Sequence, residues 1–108
     1  MNDARGLMVA IDVGATNARA RLVAVAHTGV AAQLTGDITQ RVGSAQALYE
    51  FVRDVVKTAQ PHGELVGAVV AVAGMVEGDR CHITNWAHDS LIEVDRLAAA
   101  GLPADRTR

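Results

Sequence analysis

"LMVAIDVGATNARARLVAVA", residues 7–26, contains two apolar runs joined by four residues, and the spacing of the apolar positions changes across the join. Residues 7–13 are apolar apart from Asp12, the pattern of a strand buried on both faces. After Gly14–Asn17 the chain alternates. Arg19 and Arg21 fall on one side, and Ala18, Ala20, Leu22 and Ala24 on the other, a period of two that predicts a second strand over 18–26. The junction is therefore a β-hairpin turn carrying Asp12, Gly14, Thr16 and Asn17 at the end of a buried strand.

Working outward, "HTG" at 27–29 is a turn signal, and "VAAQLTGDITQ" predicts a weaker third strand, with Gly36 marking a bulge or its end. Three strands with tight connections imply an antiparallel meander. From Ser44, an N-cap, apolar residues at Leu48, Phe51, Val52, Val55, Val56 and Ala59 follow helical spacing until Pro61, with Glu50, Arg53, Asp54 and Lys57 facing water. "ELVGAVVAVAG", 64–74, reads as a buried central strand parallel to the first. "DRCHITN", 79–85, reads as a short strand paired to its neighbour through the "EGD" turn. Ser90 and Glu93 have the spacing of a capping box, predicting a second helix over Leu91–Ala100 with Gly101 and Pro103 as its stop.

The composition narrows the function classes. A chain of 108 residues has room for one domain, and alanine and valine supply most of its apolar half, so the core is built from small side chains. The net charge of −2, spread without blocks of one sign, gives no electrostatic reason to expect nucleic acid or an anionic membrane. Cys81 is the single cysteine, which favours a reducing compartment. The amino terminus lacks the pattern of a secretory signal, and the longest apolar segment, 65–76, is short of the ~20 residues needed to span a bilayer. The expectation is a soluble, cytoplasmic protein.

Glycine-containing loops bind phosphate where backbone N–H groups can approach its oxygens. The Walker loop and the dinucleotide fingerprint both lead from a strand into a helix, whereas this loop leads into a strand, without Gly-Lys-Ser/Thr and without a third glycine. A carboxylate at such a turn can hold Mg²⁺, usually through water, and a threonine hydroxyl beside it can hold the phosphate that the metal neutralises. That chemistry is phosphoryl transfer. The same residue types also build ordinary hairpin turns, and the loop taken by itself leaves both readings open.

The order of elements adds a resemblance. "IDVGATNARARL" resembles the first phosphate loop of bacterial glucokinases, in the hexokinase, actin and Hsp70 fold group, and "AVAGMVEGDRCHITN" is similar to their sugar-side strand and loop. The resemblance covers nearly the whole chain, in order. It implies an α/β fold, one half of a ribonuclease H-like or actin-like ATPase: a three-stranded antiparallel meander plus a parallel strand, with helices packed on the sheet. It implies ATP and Mg²⁺ as cofactors, with Asp12 serving the metal and Gly14, Ala15, Thr16 and Asn17 the nucleotide phosphates, and it places Gly74 and Asn85 near a hexose such as glucose.

There are departures. Ala15 stands where the family usually has a second glycine, and Trp86 follows "TN" directly where relatives place a tryptophan a few residues later. The family's general base, an aspartate on the strand after the second helix, is expected beyond residue 108, so residues 1–108 form a first lobe with no catalytic base and no second lobe. The alternatives are an N-acetylhexosamine kinase lobe and a non-catalytic sugar-sensing or regulatory module. An unpaired sheet edge rich in valine and alanine leads us to expect self-association. Cys81, His82 and His88 match no tetrahedral zinc spacing, and the adjacent His88, Asp89 and Ser90 are not how a hydrolase triad is assembled.

Overall fold

The computed structural model describes residues 4–14, 16–26, 31–33, 37–72, 74–83, 86 and 88–103. The opening stretch forms the predicted hairpin. Strands β1 (Ala4–Val13) and β2 (Asn17–Ala26) pair antiparallel, with Val13 opposite Ala18 and Asp12 opposite Arg19. The outer strand consists of two pieces rather than one. β3 (Ala31–Gln33) pairs with Val23–Val25, and β4 (Ile38–Arg41) pairs with Asn17–Ala20, both antiparallel to β2. Gly36 lies outside the described residues.

Helix α1 (Ala45–Ala59) begins at Ser44, whose hydroxyl accepts the N–H of Ala47 at 3.1 Å. It runs into a 3-10 turn at Gln60–His62 containing Pro61. Glu50, Arg53, Asp54 and Lys57 face solvent as expected. The chain then enters β5 (Leu65–Val72), which lies parallel to β1 with Val9 opposite Ala68 and Val13 opposite Val72.

The sheet order is β3-β2-β1-β5, with β4 beside β2, so β5 is an edge strand among the described residues and not a central one. Its run of small apolar side chains suggested burial on both faces, yet Val69 is 45% exposed. One face of the sheet is covered: Leu7, Val9, Ile11, Val13, Ala18, Ala20, Leu22 and Ala68 belong to one core cluster with Leu48, Phe51, Val52, Val55 and Ala59 of α1. The other face, with Ala10, Asp12, Arg19, Arg21, Val69 and Ala71, is open.

A second, small sheet follows. β6 (Met75–Glu77) and β7 (Arg80–His82) form the expected hairpin, with Gly78 at φ 62° in its turn. β8 (Leu91–Glu93) pairs with β7, Cys81 facing Ile92. That pairing overturns the capping box: residues 91–93 are strand, and helix α2 is the shorter Val94–Ala99, with Glu93 at its N-cap making no side-chain cap bond. Ile92 is buried, and a β-branched residue packed in a ladder outweighs a local capping signal. The end of α2 matches the expected stop. The Gly101 N–H donates to the Ala98 carbonyl and the Leu102 N–H to the Leu97 carbonyl, with Gly101 at φ 120°, a Schellman motif. No helix among the described residues is long and apolar enough to cross a membrane.

Candidate functional site

The period of two that builds the core also builds the site. Because Ile11 and Val13 point into the α1 face, Asp12 between them must point to the open face. Its cross-strand neighbours are Arg19 on β2 and Ala71 on β5. The small Ala71 leaves room beside the carboxylate. A shallow hollow of about 260 Å³ lies there, lined by Ala10, Asp12, Arg19, Arg21, Val69 and Ala71 among others. Asp12 is exposed, and its carboxylate makes no hydrogen bond or ion pair among the described residues.

The turn that follows is held by the backbone. The Gly14 N–H donates to the Asn17 carbonyl at 2.9 Å, and the Val42 N–H donates to the Thr16 carbonyl at 2.8 Å. The Gly14 N–H is thus used within the turn, and the exposed polar side chains of the loop are Thr16 and Asn17. A Cβ at Gly14 would stand 3.4 Å from the Asn17 carbonyl oxygen, an ordinary contact, so the hairpin by itself does not demand glycine there. Ala15 lies outside the described residues.

Charge on the open face is mostly positive. Arg21 holds Asp37 through two hydrogen bonds, of 2.9 and 3.3 Å, and Arg19 approaches the same carboxylate at 3.9 Å. The hydrogen bond from Arg21 keeps the Asp37 carboxyl below the usual carboxylate range, with the charges of Arg21 and Arg19 adding to it, and the same bond raises Arg21. Arg41 pairs across from Asn17, which places it on the same side of the sheet beside the turn, and it too is exposed. Asp37 and Arg41 were absent from the sequence reading. The alternation of "ITQR" was a clue, but only the β2–β4 register shows which residues they meet.

Oxygen donors of the kind Mg²⁺ prefers are therefore present: one exposed carboxylate and one exposed hydroxyl. A single carboxylate suits a largely hydrated magnesium ion. Among the described residues there is no cluster of three or more histidine, cysteine, aspartate or glutamate side chains. Cys81 and His82 point to opposite faces of β7, Cys81 buried and His82 exposed, so they do not converge on one ion. Burial pushes the Cys81 thiol up from its ordinary value.

The sugar-side residues have a different standing. Asn85 lies outside the described residues. Gly74 sits against β7, where an added Cβ would collide with the carbonyl oxygen of His82 and come within 3.1 Å of the Ile83 Cα. Close approach of two backbones is thus one reason for glycine at 74. Asp89 and Ser90 do not cap α2. Asp89 instead meets the start of α1, and the Ser90 hydroxyl lies 3.3 Å from the nearer His82 ring nitrogen. Trp86 is buried beside this segment.

Hollow size does not follow this chemistry. A larger one, about 650 Å³, lies over the outer face of the small sheet beside Glu77, Arg80 and His82. The hollow beside Asp12 is smaller but adjoins the exposed carboxylate at the strand end.

Comparison with known proteins bears on the whole segment. A family model described as Glucokinase matches residues 9–101. The glucokinase of Balamuthia mandrillaris, solved in complex with glucose, superposes with a TM-score of 0.78 at 22% identity over 95% of this chain and 29% of its own. A glucokinase from an Antarctic psychrotroph gives a TM-score of 0.68 at 25% identity, over 94% of this chain and 31% of its own. The ROK family glucokinase of Streptomyces griseus, in complex with glucose and AMPPNP, gives 0.60 at 20% identity, over 91% and 31%. The chain thus spans less than a third of the length of these solved glucokinases. No curated protein matches it.

Proposed function

The chain belongs to the glucokinase family, and from that premise we propose that it is the first lobe of an ATP-dependent hexose kinase, with glucose as the hexose and Mg²⁺ as the metal. The observation that carries the reading is the placement of Asp12, Thr16 and Asn17, all exposed, at the end of the β1–β2 hairpin and inside the segment that matches the family. The Streptomyces griseus protein holds glucose and AMPPNP together, which supports the choice of nucleotide and sugar.

In this reading the γ-phosphoryl group passes to a sugar hydroxyl, a reaction governed by positioning and charge neutralisation. Asp12 would hold the metal, which when bound would supply charge neutralisation for the nucleotide phosphates. The Thr16 hydroxyl and the Asn17 side-chain amide would donate hydrogen bonds to phosphate oxygens, beside the Gly14 N–H that closes the turn on the Asn17 carbonyl. Ala15 completes the loop, and Gly74 and Asn85 form the sugar side. The general base comes from beyond residue 108, and residues 1–108 act as one lobe. The outer edge of β5, which pairs only with β1 among the described residues, supports self-association of the isolated chain.

The test is ADP release with MgATP and glucose, by this chain and by any longer protein that contains it, beside Thr16→Ala. Turnover that falls on substitution supports the reading, and turnover that Thr16→Ala leaves unchanged removes the phosphate loop from it. Faster turnover of N-acetylglucosamine than of glucose would reassign the sugar. Light scattering that shows a monomer at every concentration would contradict self-association.

A further inference from the structure

Asp89 is the one residue other than glycine with a positive φ, 49°, among the described residues, a conformation that aspartate tolerates better than most side chains. Two contacts with a helix more than forty residues earlier accompany it. Its backbone carbonyl accepts the Ala45 N–H at 2.7 Å, and its Oδ2 accepts the Gln46 N–H at 2.9 Å. These N–H groups open α1 and have no partner within the helix. The first turn of α1 has no acidic residue of its own, so the Asp89 carboxylate supplies the negative charge favoured at the positive end of the helix dipole.

The same short stretch of chain grips the phosphate loop. Arg41 pairs with Asn17, and the Val42 N–H donates to the Thr16 carbonyl, with the Val42 side chain buried. On the far side, the segment that carries Asp89 is closed on itself: the Ile83 N–H donates to the Ser90 carbonyl at 2.9 Å, and the Trp86 N–H to the Ile83 carbonyl at 3.2 Å. Residues 41–46 therefore touch both the Thr16 turn and the Ile83–Ser90 segment through backbone hydrogen bonds. Ser44 caps α1 locally through the Ala47 N–H alone, and Asp89 takes the two amides that Ser44 leaves, those of Ala45 and Gln46.

We infer that Asp89 is a positioning residue that fixes Ile83, Trp86 and Ser90 against Thr16 and Asn17 through residues 41–46. The functional half of this inference rests on the kinase reading: Thr16 and Asn17 belong to the phosphate side of the proposed site, Ile83 lies against Gly74 of its sugar side, and transfer needs the two sides in one relative placement, since a 1 Å displacement can cost on the order of 100-fold in rate. The structural half does not depend on any ligand.

Two substitutions separate the contributions. Asp89→Gly keeps the positive φ and the backbone carbonyl but removes the carboxylate, whereas Asp89→Asn keeps an acceptor oxygen. Amide hydrogen exchange of the ligand-free chain reads the outcome. In Asp89→Gly, exchange at Gln46 speeds by about fivefold, the size of losing one capping contact. Val42 and Gly14 follow in the same direction, Ile11 and Val70 in the sheet are unchanged, and Asp89→Asn recovers most of the protection. Acceleration at Gln46 alone would overturn the inference, and so would equal acceleration throughout the sheet. If Asp89→Gly does not fold, the unsubstituted chain decides under rising urea: Val42, Ala45 and Gln46 opening at one common free energy supports the coupling, and separate openings contradict it.

Where turnover is measured, Asp89→Gly lowers kcat, leaves the KM for MgATP in place, and is rescued by Asp89→Asn. A raised KM with kcat intact would overturn the positioning role. Failure of the exchange test leaves the kinase reading standing, and absence of any effect of Thr16→Ala on turnover leaves the exchange test standing.

Discussion

Neighbouring residues of β1 belong to two different regions of the molecule. Ile11 is 2% exposed and packs in the core with Phe51 and Leu48 of α1, whereas Asp12, the next residue, stands on the open face opposite Arg19. The covered face is apolar where α1 packs on it, and the open face carries the charge. One short strand thus serves stability with one set of side chains and the proposed chemistry with the other, and the division follows from the alternation of strand side chains rather than from any special loop geometry. Substitutions on the two faces should therefore separate cleanly into losses of stability and losses of binding.

The largest effect expected is on the covered face. Ile11→Ala should destabilise the fold by about 2–5 kcal/mol, through lost burial and the cavity left against α1, while Asp12→Asn changes stability by less than about 0.5 kcal/mol. Urea unfolding of the two variants checks this, and a comparable loss for both would break the division. Next, Asp12→Asn should weaken Mg²⁺-dependent nucleotide binding by roughly 10–100-fold, the range seen when a group holding a metal's outer shell is removed. Calorimetric titration with and without Mg²⁺ reads that change, and Ile11→Val should leave the affinity in place.

At the boundary of the covered face, Ser44→Ala should cost about 1 kcal/mol through the lost cap of α1. An unchanged midpoint in thermal unfolding would mean that Asp89 caps the helix alone.

The smallest effect is on the open face and appears only in acid. Arg21 holds the Asp37 carboxyl below its ordinary range, so its share of stability is present above the unfolded value, near pH 4, and is lost as pH falls through the lower folded value. Both groups are exposed and the contribution is small. Asp37→Asn should flatten the acid limb of a stability-against-pH curve slightly and leave the neutral region unchanged. A change of equal size at pH 7 and in acid would point to packing instead.

How much of this was legible in the sequence depended on whether the deciding interaction was local. The alternation of 18–26 placed Arg19 and Arg21 on the open side, the helical spacing from Leu48 to Ala59 gave α1 with its cap at Ser44, and Gly101 marked the end of α2. Asp12 could be set beside the hairpin turn because its neighbours fix its direction. Residues 91–93 could not be read correctly, since Ser90 and Glu93 present a local capping pattern while the strand arises from pairing Ile92 with Cys81, more than ten residues away. β5 looked central because valine and alanine do not report which neighbours a strand has. The contact of Asp89 with Gln46 leaves no trace in either local sequence. The Gly14–Asn17 turn was recognisable as a motif, but the use of the Gly14 N–H within it became visible only in the folded hairpin.

The most direct measurement of the central claim, that the open-face strand end is a Mg²⁺–nucleotide site, is an amide chemical-shift map of the 108-residue chain titrated with MgATP. We predict saturable shifts centred on Gly14, Thr16 and Asn17 and extending to Asp12, which shrink when Mg²⁺ is withheld and are lost in Asp12→Asn. Shifts centred on the hollow over Glu77, Arg80 and His82, or shifts at the turn that Asp12→Asn leaves intact, would contradict it.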